Sequence, residues 1–289
     1  MTDQTSNWLA RQMPAPVTAF LARKDVKAAI EWVKEPVYAV ALMFALTTII
    51  AQPFYVPSGS MEPSLAIGDA VLAAKFPYGY SRYSIPFVNG PSPEHKLFAR
   101  LPTVGDVVVF RLPRDTKVTY VKRLIGLPGD RIQMKEGRLW INGKELPLRP
   151  DGVGENEDSF GGFQQSQRFI ETLPNGREHV VFKERDDNIA DNRGLVAANN
   201  TGVYVVPAGH VFMMGDNRDN SLDSRFSQDG RVLGTDYVSS SEGGVGYVPL
   251  GNLVGRAFVV IGSVDFLNAS GFWEWPLQFR FSRVLNWVR

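Results

Sequence analysis

Arg138-Leu139-Trp140-Ile141-Asn142-Gly143-Lys144-Glu145-Leu146-Pro147-Leu148 decides the reading of the fold. Asn-Gly between two short strand-like runs is the strongest short hairpin signal, because both central residues of the tight turn need positive φ, which Asn and Gly accept most readily. The segment predicts antiparallel strands over Arg138–Ile141 and Lys144–Leu148. Outward from it, Val107–Phe110 is an apolar run of buried-strand type. Val118–Ile125 is another, interrupted by Lys122 and Arg123. Arg168–Leu173 and Glu178–Lys183 flank Pro174-Asn175-Gly176, a second hairpin. Val203–Val206, His210–Met214 and Val254–Ile261 read as further strands. Gly and Pro turns are frequent and no long amphipathic helix is visible. The body is therefore expected to be mainly β, an antiparallel sheet of sandwich or barrel type. A β-rich accessory region is expected over roughly residues 140–205. Inside it Asp151–Gln167, polar and Gly-rich, reads as a mobile loop.

Composition narrows the function. The chain has 289 residues, with 31 Lys and Arg against 30 Asp and Glu, a net charge of +1. That balance lacks the basic excess of a nucleic-acid binder. Cysteine is absent, which excludes disulfides, zinc–thiolate sites, iron–sulfur clusters and a cysteine nucleophile. His95, His179 and His210 are far apart in sequence, and no metal-ligating spacing occurs. No metal or cofactor is expected.

Between Glu35 and Glu62 no residue is charged, and Val37–Ala51, VYAVALMFALTTIIA, is the apolar heart of that run. Pro36 suits a first helical position, and Pro53 and Pro57 discourage helix beyond. A helix over Pro36–Ala51 would be roughly 24 Å long, short of the ~30 Å hydrocarbon core, unless it starts a turn earlier at Trp32 or Val33. Arg11, Arg23, Lys24, Lys27 and Lys34 precede the run, and the next basic residue is Lys75. Positive residues stay cytoplasmic, so the N-terminus is expected inside and the body exported. Ala39-Val40-Ala41 comes too early to be a cleavage site, and Ile49 is too large for one before Ala51. The expected organisation is a cytoplasmic tail (1–35), an uncleaved single-pass signal anchor (36–56) and an exported domain (57–289). Trp8, Leu9 and Phe20 leave the tail as either an interfacial stretch or a disordered one. Phe272–Arg289, FWEWPLQFRFSRVLNWVR, mixes aromatics with Arg. It suits either a bilayer headgroup region or packing on the domain.

Four clusters carry chemistry: Pro57–Leu65 (PSGSMEPSL) with Gly68-Asp69; Gly105–Phe110 (GDVVVF); Tyr120–Asp130 (YVKRLIGLPGD); and Met214–Arg225 (MGDNRDNSLDSR). Singly they read as linker, edge lysine or Asx turn. A calcium loop counted from Asp216 fails, since Ser221 stands where Gly is required and Ser227 where Glu is.

Taken together and in this order, the anchor and the four motifs, with the later Leu253-Val254-Gly255-Arg256-Ala257, resemble bacterial type I signal peptidase, the leader peptidase. Glu62 departs from the uncharged residue many members carry, and Phe226–Gly246 is longer than in compact members. The resemblance implies a membrane-bound serine endopeptidase, its catalytic domain on the exported, periplasmic side of the inner membrane. It would remove signal peptides from exported preproteins after a small-x-small site. Signal peptides and membrane lipids are then its partners. The resemblance makes Ser60 the nucleophile and Lys122 the general base. Ser58 and the Ser60 backbone N–H become the oxyanion hole. Ser221 becomes the hydroxyl that orients Lys122, and Asp223 and Arg225 a supporting ion pair, with Asp216 sharing that network. Substrate pockets are expected around Phe54, Val56, Met61, Leu65, Tyr120 and Val121.

The chemistry of the residues agrees. A serine hydroxyl needs a base, and no Ser-His-Asp set presents itself. His210 reads as a packed structural histidine. Lysine serves only when neutral, so its ordinary pKa of ~10.4 must fall by about 2–3 units, the direction burial supplies. Lys122 lies among Tyr120, Val121 and Leu124, with Arg123 on the opposite face of a strand. Nine residues separate Ala51 from Ser60 and span at most about 32 Å, which keeps the nucleophile near the membrane. Two rivals are a self-cleaving repressor-type protease, disfavoured by the anchor and neutral charge, and a non-enzymatic anchored module, disfavoured by intact Ser60 and Lys122.

Overall fold

The computed structural model describes residues 23–157, 162–183, 197–238, 243–265 and 277–288. It divides into two compact units, Met1–Leu46 and Thr47–Arg289.

The first unit holds most of helix α1 (Lys24–Ile49), which contains Pro36. The helix starts well before the expected Pro36 or Trp32. Lys, Ala and Glu before Pro36 favour helix, and a proline removes one backbone donor without ending a helix supported on both sides. At 1.5 Å per residue α1 is about 39 Å long. Its stretch Glu31–Ile49 is long and apolar enough to cross a membrane, and Leu42, Met43 and Phe44 are exposed. Residues 51–55, assigned to the anchor from sequence, are instead strand. The Trp8, Leu9 and Phe20 stretch lies outside the described residues.

The second unit is antiparallel β. Strands β1 (Ala51–Tyr55), β2 (Asp69–Ala74), β3 (Val107–Leu112), β4 (Asp115–Gly126), β12 (His210–Met214), β13 (Val248–Pro249) and β14 (Leu253–Ser263) form a seven-stranded sheet. Its order is β1-β2-β14-β3-β4-β12-β13. Each expected strand in this sheet is present, one or a few residues longer at most ends. Two apolar clusters of this body frame the site: Val56, Met61, Leu65, Val71 and Val109 in one, Val108, Phe110, Leu124 and Met213 in the other.

The accessory region is two further sheets. β5 (Arg131–Lys135), β6 (Arg138–Ile141), β7 (Lys144–Glu145) and β11 (Tyr204–Val205) pair in the order β11-β5-β6-β7, so this part begins nearer residue 131 than 140. Asn142 and Gly143 have φ of 53° and 79°, as the hairpin reading requires. β8 (Leu148–Glu157), β9 (Phe163–Thr172) and β10 (Glu178–Lys183) form a three-stranded ribbon. The mobile loop expected over Asp151–Gln167 is thus largely β8 and β9, with residues 158–161 outside the described residues. The Asp151–Gln167 stretch is mostly polar and Gly-rich, so it carries no apolar alternation to reveal strands. Within the ribbon, Ser166 Oγ donates to buried Asn156 Oδ1 at 2.9 Å, and Gly154 lies so close to the Phe182 ring that a Cβ would stand 2.7 Å from it.

The described part of the C-terminal stretch packs on the domain. Phe279 and Trp287 bridge to Val264 and Val259, and Arg283 grips buried Asp69 at 2.7 and 2.9 Å. Phe281 and Trp287 still face outward.

Candidate active site

Strand β1 ends where Pro57 cannot continue a ladder, and the chain turns into one 3₁₀ turn, Gly59–Met61. Ser58 occupies the capping position, but its hydroxyl makes no capping bond. Its Oγ lies 3.3 Å from Ser60 Oγ. The Ser60 amide falls in the first turn, where a helix has no internal acceptor to offer. Ser60 itself is half-buried and Ser58 exposed.

Lys122 projects from the centre of β4, opposite Val108 of β3. It is buried, with the Tyr120 ring 5.8 Å from Nζ. Nζ is hydrogen-bonded to Ser60 Oγ. Burial lowers the Lys122 pKa to about 8, against the opposing pull of the Asp223 and Asp216 carboxylates. A full positive charge would have to shed its hydration to sit there, so the neutral amine gains.

The loop after β12 holds this pair in place. Asn217 N donates to Ser60 O at 3.2 Å, and Asn217 Nδ2 to Gly59 O at 3.4 Å. A Cβ on Gly215 would stand 2.3 Å from Ser221 Oγ and 2.5 Å from Ser60 O, so only glycine lets the loop close on the nucleophile turn. Ser221 Oγ donates to Asp223 Oδ2 at 2.9 Å, and no hydrogen bond joins it directly to Lys122. Asp223 is buried and takes Arg225 Nε at 2.9 Å, Arg225 NH2 at 3.0 Å and Gly215 N at 3.0 Å. These partners hold its carboxyl below the ordinary range although burial alone would raise it.

Asp216 belongs to a separate arrangement. It pairs with Arg123 through two 2.7 Å bonds and accepts from Ser64 Oγ at 2.5 Å. Lys122 and Arg123 thus leave β4 on alternate faces, one to Ser60, the other to Asp216. Asp219 accepts from Asn199 Nδ2 at 3.2 Å. Among the described residues no group of His, Asp and Glu has the arrangement to hold a metal ion.

Of the expected pocket residues, Val56, Met61 and Leu65 are buried in one cluster with Phe54 and Val121 packed against it. Those last two and Tyr120 remain partly accessible. Tyr120 packs into the neighbouring cluster, tilted against Phe110. His210 stays local, Nδ1 lying 3.0 Å from Ala208 O.

Sequence reading missed Ser64, Glu171, His179 and the roles of Gly215 and Asn217. Glu171 on β9 pairs with Arg218. Phe182 on β10 exchanges two 2.9 Å backbone bonds with Asp216 O and Arg218 N. The accessory ribbon is thereby stitched to the loop behind Ser60.

The family model described as Signal peptidase, peptidase S26 matches residues 29–262. A signal peptidase I of Rickettsia typhi is 37% identical over 224 residues, covering 76% of this chain and 75% of its own. One of Rickettsia massiliae is 36% identical over 225 residues, with the same shares. A solved signal peptidase I from Enterococcus faecalis V583 aligns with 54% of this chain and 97% of its own at 22% identity and a TM-score of 0.28.

Proposed function

The chain belongs to the signal peptidase family, peptidase S26, and from that premise we propose that it is a membrane-anchored serine endopeptidase that removes signal peptides from exported preproteins. The hydrogen bond between Ser60 Oγ and the buried Lys122 amine carries the reading. With a pKa of about 8, an appreciable share of Lys122 is neutral at physiological pH, which an exposed lysine is not.

In the proposed reaction the Lys122 lone pair takes the Ser60 hydroxyl proton as Oγ attacks the scissile carbonyl carbon. The carbonyl π pair moves onto oxygen. The Ser58 hydroxyl and the Ser60 N–H donate to that oxyanion. Collapse expels the amine of the mature protein, which takes the proton from Lys122. A water, deprotonated by Lys122, then attacks the acyl-Ser60 ester; the C–Oγ bond breaks, Lys122 returns the proton to Ser60 Oγ, and the signal peptide leaves as its carboxylate. Ser221, whose oxygen still has acceptor capacity, and the Asp223–Arg225 pair keep the lysine aimed.

Position selects the substrate. α1 is proposed to span the inner membrane with its basic flank inside, leaving Ser60 within about 32 Å of Ala51 on the outer side. A signal peptide's apolar segment ends there, ahead of its small-x-small site. Phe54, Tyr120 and Val121 would wall the small pockets, with Val56, Met61 and Leu65 as their floor. Processing of a preprotein by the detergent-solubilised protein tests this. The full chain should cut once after a small-x-small site, Lys122→Ala should not, and cutting by Lys122→Ala at the normal rate would refute the proposal.

A further inference from the structure

Arg123 has a second neighbour besides Asp216. A cavity of about 240 Å³ opens between β3, β14 and the β9–β10 hairpin, lined by Arg123, Asp106, Arg177, Glu178, His179 and Arg256 among others. The His179 side chain is only 2% exposed. Neither ring nitrogen hydrogen-bonds to a described residue. The carboxylates nearest Nε2, Glu171 at 3.5 Å and Asp216 at 4.0 Å, are committed to Arg218 and Arg123. Those four charges cancel, so His179 is neutral. Burial, helped by Arg123, keeps its pKa at about 4. A buried imidazole with a donor and an acceptor unmet is costly, and a partner from the cavity offsets that cost.

The cavity wall supplies charge. Arg177 NH1 and Arg256 Nε meet at one oxygen, Asp106 Oδ1, at 2.9 and 3.4 Å. The other oxygen already accepts from Tyr78 OH at 3.0 Å and Thr103 N at 3.1 Å. Two guanidiniums therefore share one carboxylate, and both remain about two-fifths exposed, at 43% and 40%. Glu178 is drawn outward to Arg149 at 3.2 Å. One positive charge is left in excess, with guanidinium N–H groups directed by a fixed fork.

We infer that this cavity binds a phosphate oxyanion between Arg177 and Arg256, with the His179 ring N–H as its buried third donor. The phosphate is either a free ion or the headgroup of an anionic lipid. The site adjoins the Arg123–Asp216 pair that braces the nucleophile turn. It does not depend on the proteolytic reading, so it is testable in a protein that cannot turn over.

Full-length Ser60→Ala with ¹⁵N-labelled histidine, in neutral detergent at constant ionic strength, should show the His179 signals moving saturably as inorganic phosphate is added. The His179→Gln variant assigns those signals. Because a neighbouring anion favours imidazolium, the His179 titration midpoint should rise with phosphate. Arg177→Ala combined with Arg256→Ala should weaken binding by about tenfold or more, and the matching Lys pair should restore most of it. Phosphatidylglycerol nanodiscs compared with phosphatidylcholine ones form the lipid arm. Movement there but not with free phosphate assigns the headgroup. No saturable movement of His179 in either arm overturns the site, and so does a phosphate affinity that is unchanged in a folded double-alanine variant. If that variant does not fold, the Ser60→Ala titrations decide alone.

Discussion

Glu171 on the accessory ribbon and Arg218 in the loop behind Ser60 form a two-pronged ion pair with both side chains almost fully buried, one prong at 2.8 Å. Arg218 also lies within reach of the other braces, since Arg225 NH2 donates to its carbonyl at 2.6 Å. The pair ties a sheet remote in sequence to the loop that positions Asn217 against Ser60.

Removing one partner strands a buried charge, so Glu171→Ala should cost about 3–5 kcal/mol of stability. Glu171→Ala with Arg218→Ala should cost clearly less than the sum of the single changes. Denaturant unfolding of the three variants measures the coupling, and strict additivity would show that the pair is not a unit.

Gly215→Ala should damage catalysis more than folding. Its Cβ would press on Ser221 Oγ at 2.3 Å and on the Ser60 carbonyl at 2.5 Å. A displacement of about 1 Å at a reacting group costs on the order of 10²-fold in rate. Preprotein processing alongside circular dichroism separates the two effects. Full activity in the folded variant would mean the loop does not set the Ser60 position.

Acid should destabilise the protein in two stages. The His179 pKa is lowered from 6.5 to about 4 by burial. A folded pKa below the unfolded value gives stability that is present above 6.5 and lost as pH falls toward 4, up to about 3 kcal/mol. Glu171, Asp216 and Asp223 have carboxyls held below the ordinary range by their arginines. Their contribution is present above that range and disappears only at lower pH. Unfolding free energies in phosphate-free buffer between pH 7.5 and 4 should decline for the unsubstituted chain and stay flatter for His179→Gln. Equal slopes would remove His179 as the source.

Much of this fold was legible because its strands carry local signals. Val107–Phe110 is apolar enough to be a buried strand on composition alone, and Asn142-Gly143 fixes a turn by backbone conformation alone. The Ser60 and Lys122 segments stand out because their chemistry is local to short motifs. Long-range placement was not legible. β14 inserts between β2 and β3, an order no local pattern encodes. Most of β8 and the first half of β9 read as loop because Asp151–Gln167 is polar and Gly-rich. Glu171 and His179 carried no site signal in their hairpin, since only tertiary contact with Arg218 and Asp216 places them there. Pro36 misled for the opposite reason: a strong local helix signal was overridden by helix formers on its N-terminal side.

The pH dependence of kcat/KM for preprotein cleavage tests the central claim, that Lys122 acts as a neutral base, most directly. Processing should be weak at pH 6 and rise along an acid limb with a midpoint near 8, following deprotonation of a lysine whose pKa burial lowers to about 8. Lys122→Arg, which keeps the charge but cannot yield its proton, should abolish the limb together with the activity. A midpoint near 6.5, or a flat profile across this range, would assign the base elsewhere and contradict the account.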